Sequence, residues 1–439
     1  MTRRLAALLA VVVVTACGEG SVTWDSTPAG GGDTSATQPA SPSTTDGGAI
    51  GAEPVVLLPT AGVERVEPGD DAPVVELAAG FNEAGFDLWR SQDSDGNLVF
   101  SPASIGHALL MARAAADQAT GAAIDEAFSV PAGLAAHQAW NAIDRAIARA
   151  ADAEDEVRVT LADRIWPRLD IQPDQGWIDL LASEHGATAE TLDFASDPEG
   201  SREAINSWVG HQTEGLIPEL LPSGFIKDQT VLVLTDAIYF KAQWQTPFGK
   251  YEDVTDTFTR LDGSTTQVEY MRELELSDRR GRGEGFVGAE IPYVGGDFSM
   301  LVIVPDRGRF TQVRDRLDQD LLEQIDATFT TGPYELLVPQ WADTVQLDLM
   351  AWLEQIGAAP GRYPSISEEA FLDAAVHGAD IEVDEWGTVA AAATGLGFAT
   401  SGPPEPELKV KADRPFLYLI RHRPTGLVLF AGQITDPTA

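Results

Sequence analysis

The spacing of apolar positions divides this chain into an early helical part and a later stranded part. Residues 77–89 repeat at helical spacing, with Phe81, Phe86 and Trp89 among the apolar positions. Residues 97–100 form a short strand. Ser101-Pro102-Ala103-Ser104 places a hydroxyl at a cap and a proline at a helix start, which predicts a long helix through Ala119. Residues 120–150 are alanine-rich and helical in pattern, 157–166 alternate like a strand, and 204–209 return to helical spacing. Residues 231–240 are so apolar that they predict a central strand covered on both faces. Strands follow at 289–293, 299–304 and 334–338. The last two, 416–421 and 427–432, flank the turn Arg423-Pro424-Thr425-Gly426. This order predicts an α+β fold with large, mostly antiparallel sheets.

The start of the chain has a different pattern. Arg3 and Arg4 precede an apolar run over 5–14, and Thr15-Ala16-Cys17 follows. A basic end with roughly ten apolar residues is the pattern of a signal peptide and is too short to span a membrane. Val14-Thr15-Ala16-Cys17 is similar to a bacterial lipobox, which implies cleavage before Cys17 and its lipidation. The expected location is then the outer face of a cell membrane, held by the lipid alone, or secretion if Cys17 is unmodified. Residues 17–75 are rich in Gly, Ser, Thr, Pro and Asp and are expected to be a disordered tether. About 55 such residues reach on the order of 40 Å. The folded domain is expected over 76–439. Cys17 is the only cysteine, so no intramolecular disulfide can form. With 68 acidic against 29 basic residues, the net charge of -39 excludes nucleic acid as an expected partner. A self-repelling surface of this kind fits a monomer.

One stretch near the C-terminus organises the functional reading. Asp384-Glu385-Trp386-Gly387-Thr388-Val389 leads into Ala390, Ala391, Ala392 and Ala393. Thr394-Gly395-Leu396-Gly397-Phe398-Ala399-Thr400-Ser401-Gly402 follows, then Pro403-Pro404-Glu405-Pro406. No charge occurs between Thr388 and Gly402. By composition alone this is a loop or linker. It is also small and uncharged enough to be buried in a sheet.

The flanks change that reading. Glu385-x-Gly387-Thr388-x-Ala390-Ala391-Ala392-Ala393 resembles the hinge of the reactive-centre loop of serpins. Val410-Lys411-Ala412-Asp413-Arg414-Pro415-Phe416-Leu417-Tyr418 resembles that family's C-terminal signature. Asn97-Leu98-Val99-Phe100-Ser101-Pro102-Ala103-Ser104-Ile105, Asn206-Ser207-Trp208-Val209, Leu234-Thr235-Asp236-Ala237-Ile238-Tyr239-Phe240, Ile291-Pro292-Tyr293 and Val376-His377 match it in order. The resemblance implies a serpin fold with an exposed loop over about 385–408. It implies a suicide inhibitor of serine proteases, not an enzyme, with no cofactor and no metal. The cleaved arm then enters the main sheet as a new strand. The sheet-opening region implied is Ser101, Ser104, His377, Asp236 and Trp244. His377 is expected under the gate near Ser104, and Trp244 where the loop first enters. Asp236 stands where the family usually has Asn, so a buried charge there needs a partner or a raised pKa.

Counting the family's usual span from Glu385 puts the reactive bond at Ser401-Gly402, with Thr400 and Phe398 as alternatives. Small residues there imply an elastase- or subtilisin-like protease, and the absence of a basic residue argues against a trypsin-like one. The alternative function is a non-inhibitory serpin-fold binding or scaffold protein. This hinge lacks the bulky, charged or proline residues such members usually carry. A secreted hydrolase is disfavoured because neither GxSxG nor HExxH occurs. Gly283 to Gly288 matches GxGxxG but is expected neither to follow a strand nor to open a helix, as a dinucleotide site would require.

Overall fold

The long apolar run of the middle chain forms β5 (Thr230–Gln243), the centre of the first of three sheets. The computed structural model describes residues 7–16, 63–388 and 406–439, apart from Leu216 and residues 249–252. Among the described residues the first sheet contains β13 (Trp341–Asp348), β14 (Ala370–Asp384), β5, β3 (Val157–Pro167) and the short β4 (Thr188–Ala189). Between β14 and β5 lies a lane shared by two strands, β1 (Ala7–Ala16) and β15 (Gly387–Thr388), both antiparallel to their neighbours.

The second sheet runs β11 (Thr330–Thr331), β8 (Arg279–Gly283), β9 (Phe286–Pro292), β10 (Phe298–Pro305), β17 (Phe416–His422), β18 (Leu427–Ile434) and β2 (Leu98–Phe100). The third runs β16 (Leu408–Lys411), β12 (Tyr334–Pro339), β7 (Thr265–Leu276) and β6 (Val254–Thr259). Pairing is antiparallel except for β3 with β4 and β12 with β16.

Helices α1 (Val74–Ser91), α2 (Pro102–Arg113), α3 (Gln118–Ala127) and α4 (Leu134–Asp152) come early in the chain. They are followed by α5 (Gln175–Leu180) with a π-helical turn (Leu181–His185), and by α6 (Pro198–Gln212). Every residue of α2 from Pro102 to Ala112 is buried, because the helix packs on β5 on one side and β18 on the other. A helix enclosed all round needs no polar face, which explains the run Ala108-Leu109-Leu110-Met111-Ala112. β5 is covered on both faces. Ile238 and Leu234 join the main core, while Val233 and Tyr239 join a second cluster with Ile205 and Val209 of α6.

Five features add to or depart from the sequence expectations. The helix opened by Ser101 stops at Arg113 rather than Ala119. The Asp117 carboxylate accepts the Thr120 N–H at 2.8 Å and caps a new helix there. The helical region 120–150 is two helices, parted around Pro131 and Gly133, whose φ is 65°. The tether boundary at residue 75 is too late. Residues 63–73 lie against the domain, with Val66 N–H donating to Ser183 O at 2.9 Å and Asn141 Nδ2 donating to Val66 O at 2.7 Å. The apolar run read as a leader pairs as β1 along most of the lane. The GxGxxG match does follow a strand, but it opens no helix. It forms the hairpin joining β8 to β9, with Gly285 at φ 84°.

Candidate functional site

The upper end of the lane is built around the turn after β14. The Asp384 carboxylate accepts N–H groups from Trp386 at 2.8 Å and Gly387 at 3.1 Å, which turns the chain back on itself. Trp244, just past β5, donates its backbone N–H to Trp386 O at 2.8 Å and its indole N–H to Asp384 O at 3.0 Å. Its ring stacks on Tyr293 with centroids 4.4 Å apart. Glu385 sits on the same turn, its carbonyl accepting the Phe248 N–H at 2.8 Å and its carboxylate the Gln340 amide at 2.6 Å.

Gly387 and Thr388 then enter the lane. Gly387 stands opposite Asp384 and Gln243, and Thr388 opposite Val383 and Ala242. Thr388 is buried, and its hydroxyl shares a hydrogen bond with the Tyr293 hydroxyl at 2.7 Å. A Cβ on Gly387 would lie 2.1 Å from Ala242 O, so this position requires glycine. The structure thus brings Glu385, Gly387, Thr388 and Trp244 together. Ala390, Ala391, Ala392, Ala393, Phe398, Thr400, Ser401, Gly402 and Cys17 lie outside the described residues.

Further down, the first turn of α2 holds both lips of the lane. On the β14 side, His377 Nε2 accepts the Ser101 backbone N–H at 3.0 Å. That nitrogen is therefore unprotonated. On the β5 side, Ser104 Oγ donates to Asp236 Oδ1 at 2.6 Å. Ser101 also caps the helix by accepting the Ser104 N–H at 3.0 Å. All four residues are buried. The resemblance implies His377 under the gate near Ser104; in the structure its Nε2 accepts from Ser101, the residue that caps Ser104. The backbone N–H of an N-cap residue precedes the helix and is open to an outside acceptor.

Asp236 has a second partner that sequence reasoning missed. His107, one helical turn beyond Ser104, places Nδ1 2.6 Å from Asp236 Oδ2. His107 Nε2 lies 2.7 Å from His185 Nδ1, and His185 Nε2 lies 2.8 Å from His137 Nδ1. Trp140 stacks on His107 at 3.9 Å. The i, i+3 spacing of Ser104 and His107 signals a shared helix face. Nothing local in the sequence points to His137 on α4 or His185 on the π-helical turn. Burial, then the charge on His107, holds His185 well below the ordinary imidazole range. Burial first, then Arg113 and His107, lowers His137 to about 4. The chain of rings is linear, and no group of His, Cys, Asp and Glu among the described residues could hold a metal ion.

The family profile described as Serpin (serine protease inhibitor) matches residues 81–437. Plasminogen activator inhibitor 1 of Bos taurus is 30% identical over 380 residues, covering 82% of this chain and 92% of the relative. Leukocyte elastase inhibitor of Sus scrofa is 31% identical over 389 residues, covering 82% of this chain and 100% of the relative. Among solved structures, the thermophilic serpin tengpin in its native state superposes with a TM-score of 0.72 at 23% identity. It covers 85% of this chain and 96% of that one.

Proposed function

From the premise that the chain belongs to the serpin (serine protease inhibitor) family, we propose that it is a suicide inhibitor of serine proteases, driven by insertion of its cleaved loop into the β5–β14 lane. The observation that carries this reading is the seating of Gly387 and Thr388 at the top of that lane. A protease attacks the loop and forms an acyl-enzyme. The severed arm is then released to continue down the lane from Thr388. Where β1 does not occupy the lane, both flanking strands offer backbone hydrogen bonds to the newcomer. Serpin loop insertion is itself an established example of strand addition and of strain released on cleavage.

The register carries the reading further. Each step beyond Thr388 moves one residue down β14 and one down β5. Ala392 would therefore stand opposite Ala379 and Ile238, both buried in the main core. The pairing of β1 supports a strand fitting there, since Leu8 pairs with the same two residues in the same direction. Thr388, Ala390, Ala392, Thr394, Leu396 and Phe398 would share the core-facing side, small first and apolar deeper.

The proposed reactive bond is Ser401-Gly402, aimed at a protease with a small, uncharged pocket. Residues 1–16 are proposed as a leader removed before Cys17, with the inhibitor held at a bacterial cell surface through lipid on that cysteine. A panel of serine proteases tests the function. Elastase- and subtilisin-like members should form complexes that survive denaturing gels and release a C-terminal fragment beginning at Gly402; trypsin-like members should form none. Cleavage by every protease as an ordinary substrate, without a covalent band, contradicts the proposal.

A further inference from the structure

The histidine chain behind Asp236 belongs to no part of the insertion mechanism. Its geometry constrains its proton count. Three links run from Asp236 to His107, from His107 to His185 and from His185 to His137. Each link holds one proton, and three protons are what three neutral imidazoles carry. The sixth ring nitrogen, His137 Nε2, lies outside the links. A proton taken up there makes one ring cationic. The protons of the two ring-to-ring links can then each move to the neighbouring nitrogen while His107 Nδ1 keeps its own, so that the charge rests on His107 beside the Asp236 carboxylate. A fifth proton has no place unless a link breaks.

We propose that this chain is a proton-linked latch on the β5 lip of the lane: one proton entering at His137 strengthens the tie between Asp236 and α2, and its loss loosens it. With His107 cationic, the tie is an ion pair reinforced by Ser104. With His107 neutral, the tie from α2 consists of two neutral donors, and β5 is held less firmly.

Other charged groups face the chain from each packed element. Arg113 of α2, bonded to Asp125 of α3 at 2.7 and 2.6 Å, faces His137. Arg65, paired with Asp144 of α4, faces His185. Glu184 on the π-helical turn accepts from Asn141 at 3.0 Å. His377 lies on the opposite lip. Arg113 and Arg65 oppose a second proton at the far end of the chain, which restricts the latch to a single step.

The latch rests on the reading of this lane as the insertion site, but its test needs no protease. Hydrogen exchange of the β5 amides in the full chain is followed across about pH 5 to 9 and corrected for intrinsic exchange. Protection should fall in one step as pH rises, by about tenfold for each pKa unit separating the ring in the closed and open sheet. The step should vanish in Asp236→Asn and in His107→Gln, either of which suffices if the other fails to fold. It should persist in His422→Gln, which removes a buried histidine outside the chain. A flat wild-type profile, an unchanged step in both latch variants, or loss of the step in His422→Gln overturns the latch. The proposed inhibition is judged separately, from the covalent complex formed by the wild-type chain, so failure of the latch and failure of inhibition are told apart.

Discussion

Replacing Ala392 with Asp is expected to abolish covalent complex formation while leaving the uncut protein folded. The register from Thr388 brings residue 392 between Ala379 and Ile238, which are 2% and 0% exposed. Neither neighbour offers a donor side chain, so insertion would bury an unpaired carboxylate. The cost is several kcal/mol at least, enough to stall insertion at the hinge. Deacylation then wins, and the chain is consumed as a substrate. Denaturing gels with an elastase-like protease check this: the variant should give cleaved chain and free protease, with little or no complex. A wild-type complex yield would show that residue 392 does not enter the lane. Ala392→Ser is the matched control, because a hydroxyl is small and can find a backbone partner; it should retain most of the yield.

The second large effect concerns the N-terminal segment. β1 pairs with β14 from Ala379 to Ala370 and with β5 from Tyr239 to Thr230. Those are the positions that residues beyond Ala390 would need. Two strands cannot occupy one lane, and β1 already has its ladder on both sides, so it holds the lane against the arm. A chain that keeps residues 1–16 should therefore be a poor inhibitor, cleaved without complex. A chain beginning at Cys17 should inhibit. Parallel stoichiometry titrations of the two forms measure this directly, and equal yields would mean that β1 gives way to the arm at no cost.

Much of the site was legible in the residues. Ser101-Pro102 marks a capped helix start, and that cap is what His377 and Ser104 bond to. The apolar length of β5 predicted a strand buried on both faces, and Leu234 and Val233 indeed join opposite cores. The hairpin at Arg423 to Gly426 followed from its proline and glycine. The family resemblance singled out Asp236 as the departure needing a partner. The ring chain behind it was hidden, because His107 and His185 are 78 residues apart and His185 and His137 are 48 apart. Contacts of that separation leave no local pattern.

Other features were lost for identifiable reasons. β13 alternates Trp341, Asp343, Val345 and Leu347 with Ala342, Thr344, Gln346 and Asp348, too polar a run to stand out as a strand. β6 is likewise mostly Thr and Asp, because it is an edge strand of the third sheet. The end of α2 at Arg113 depends on a side-chain cap from Asp117 competing with an alanine-rich continuation of high helix propensity. Residues 63–73 lack apolar density. They are nonetheless held to the domain through Arg65, Val66 and Glu67, which pair with Asp144, Ser183 and Arg145.

A crystal structure of the processed chain, cleaved once in its loop, tests the central claim most directly. It should show residues 389–400 as a full strand between β5 and β14, with Ala392 between Ala379 and Ile238. An arm lying outside the sheet, with no strand joining those two lips below Thr388, would contradict it.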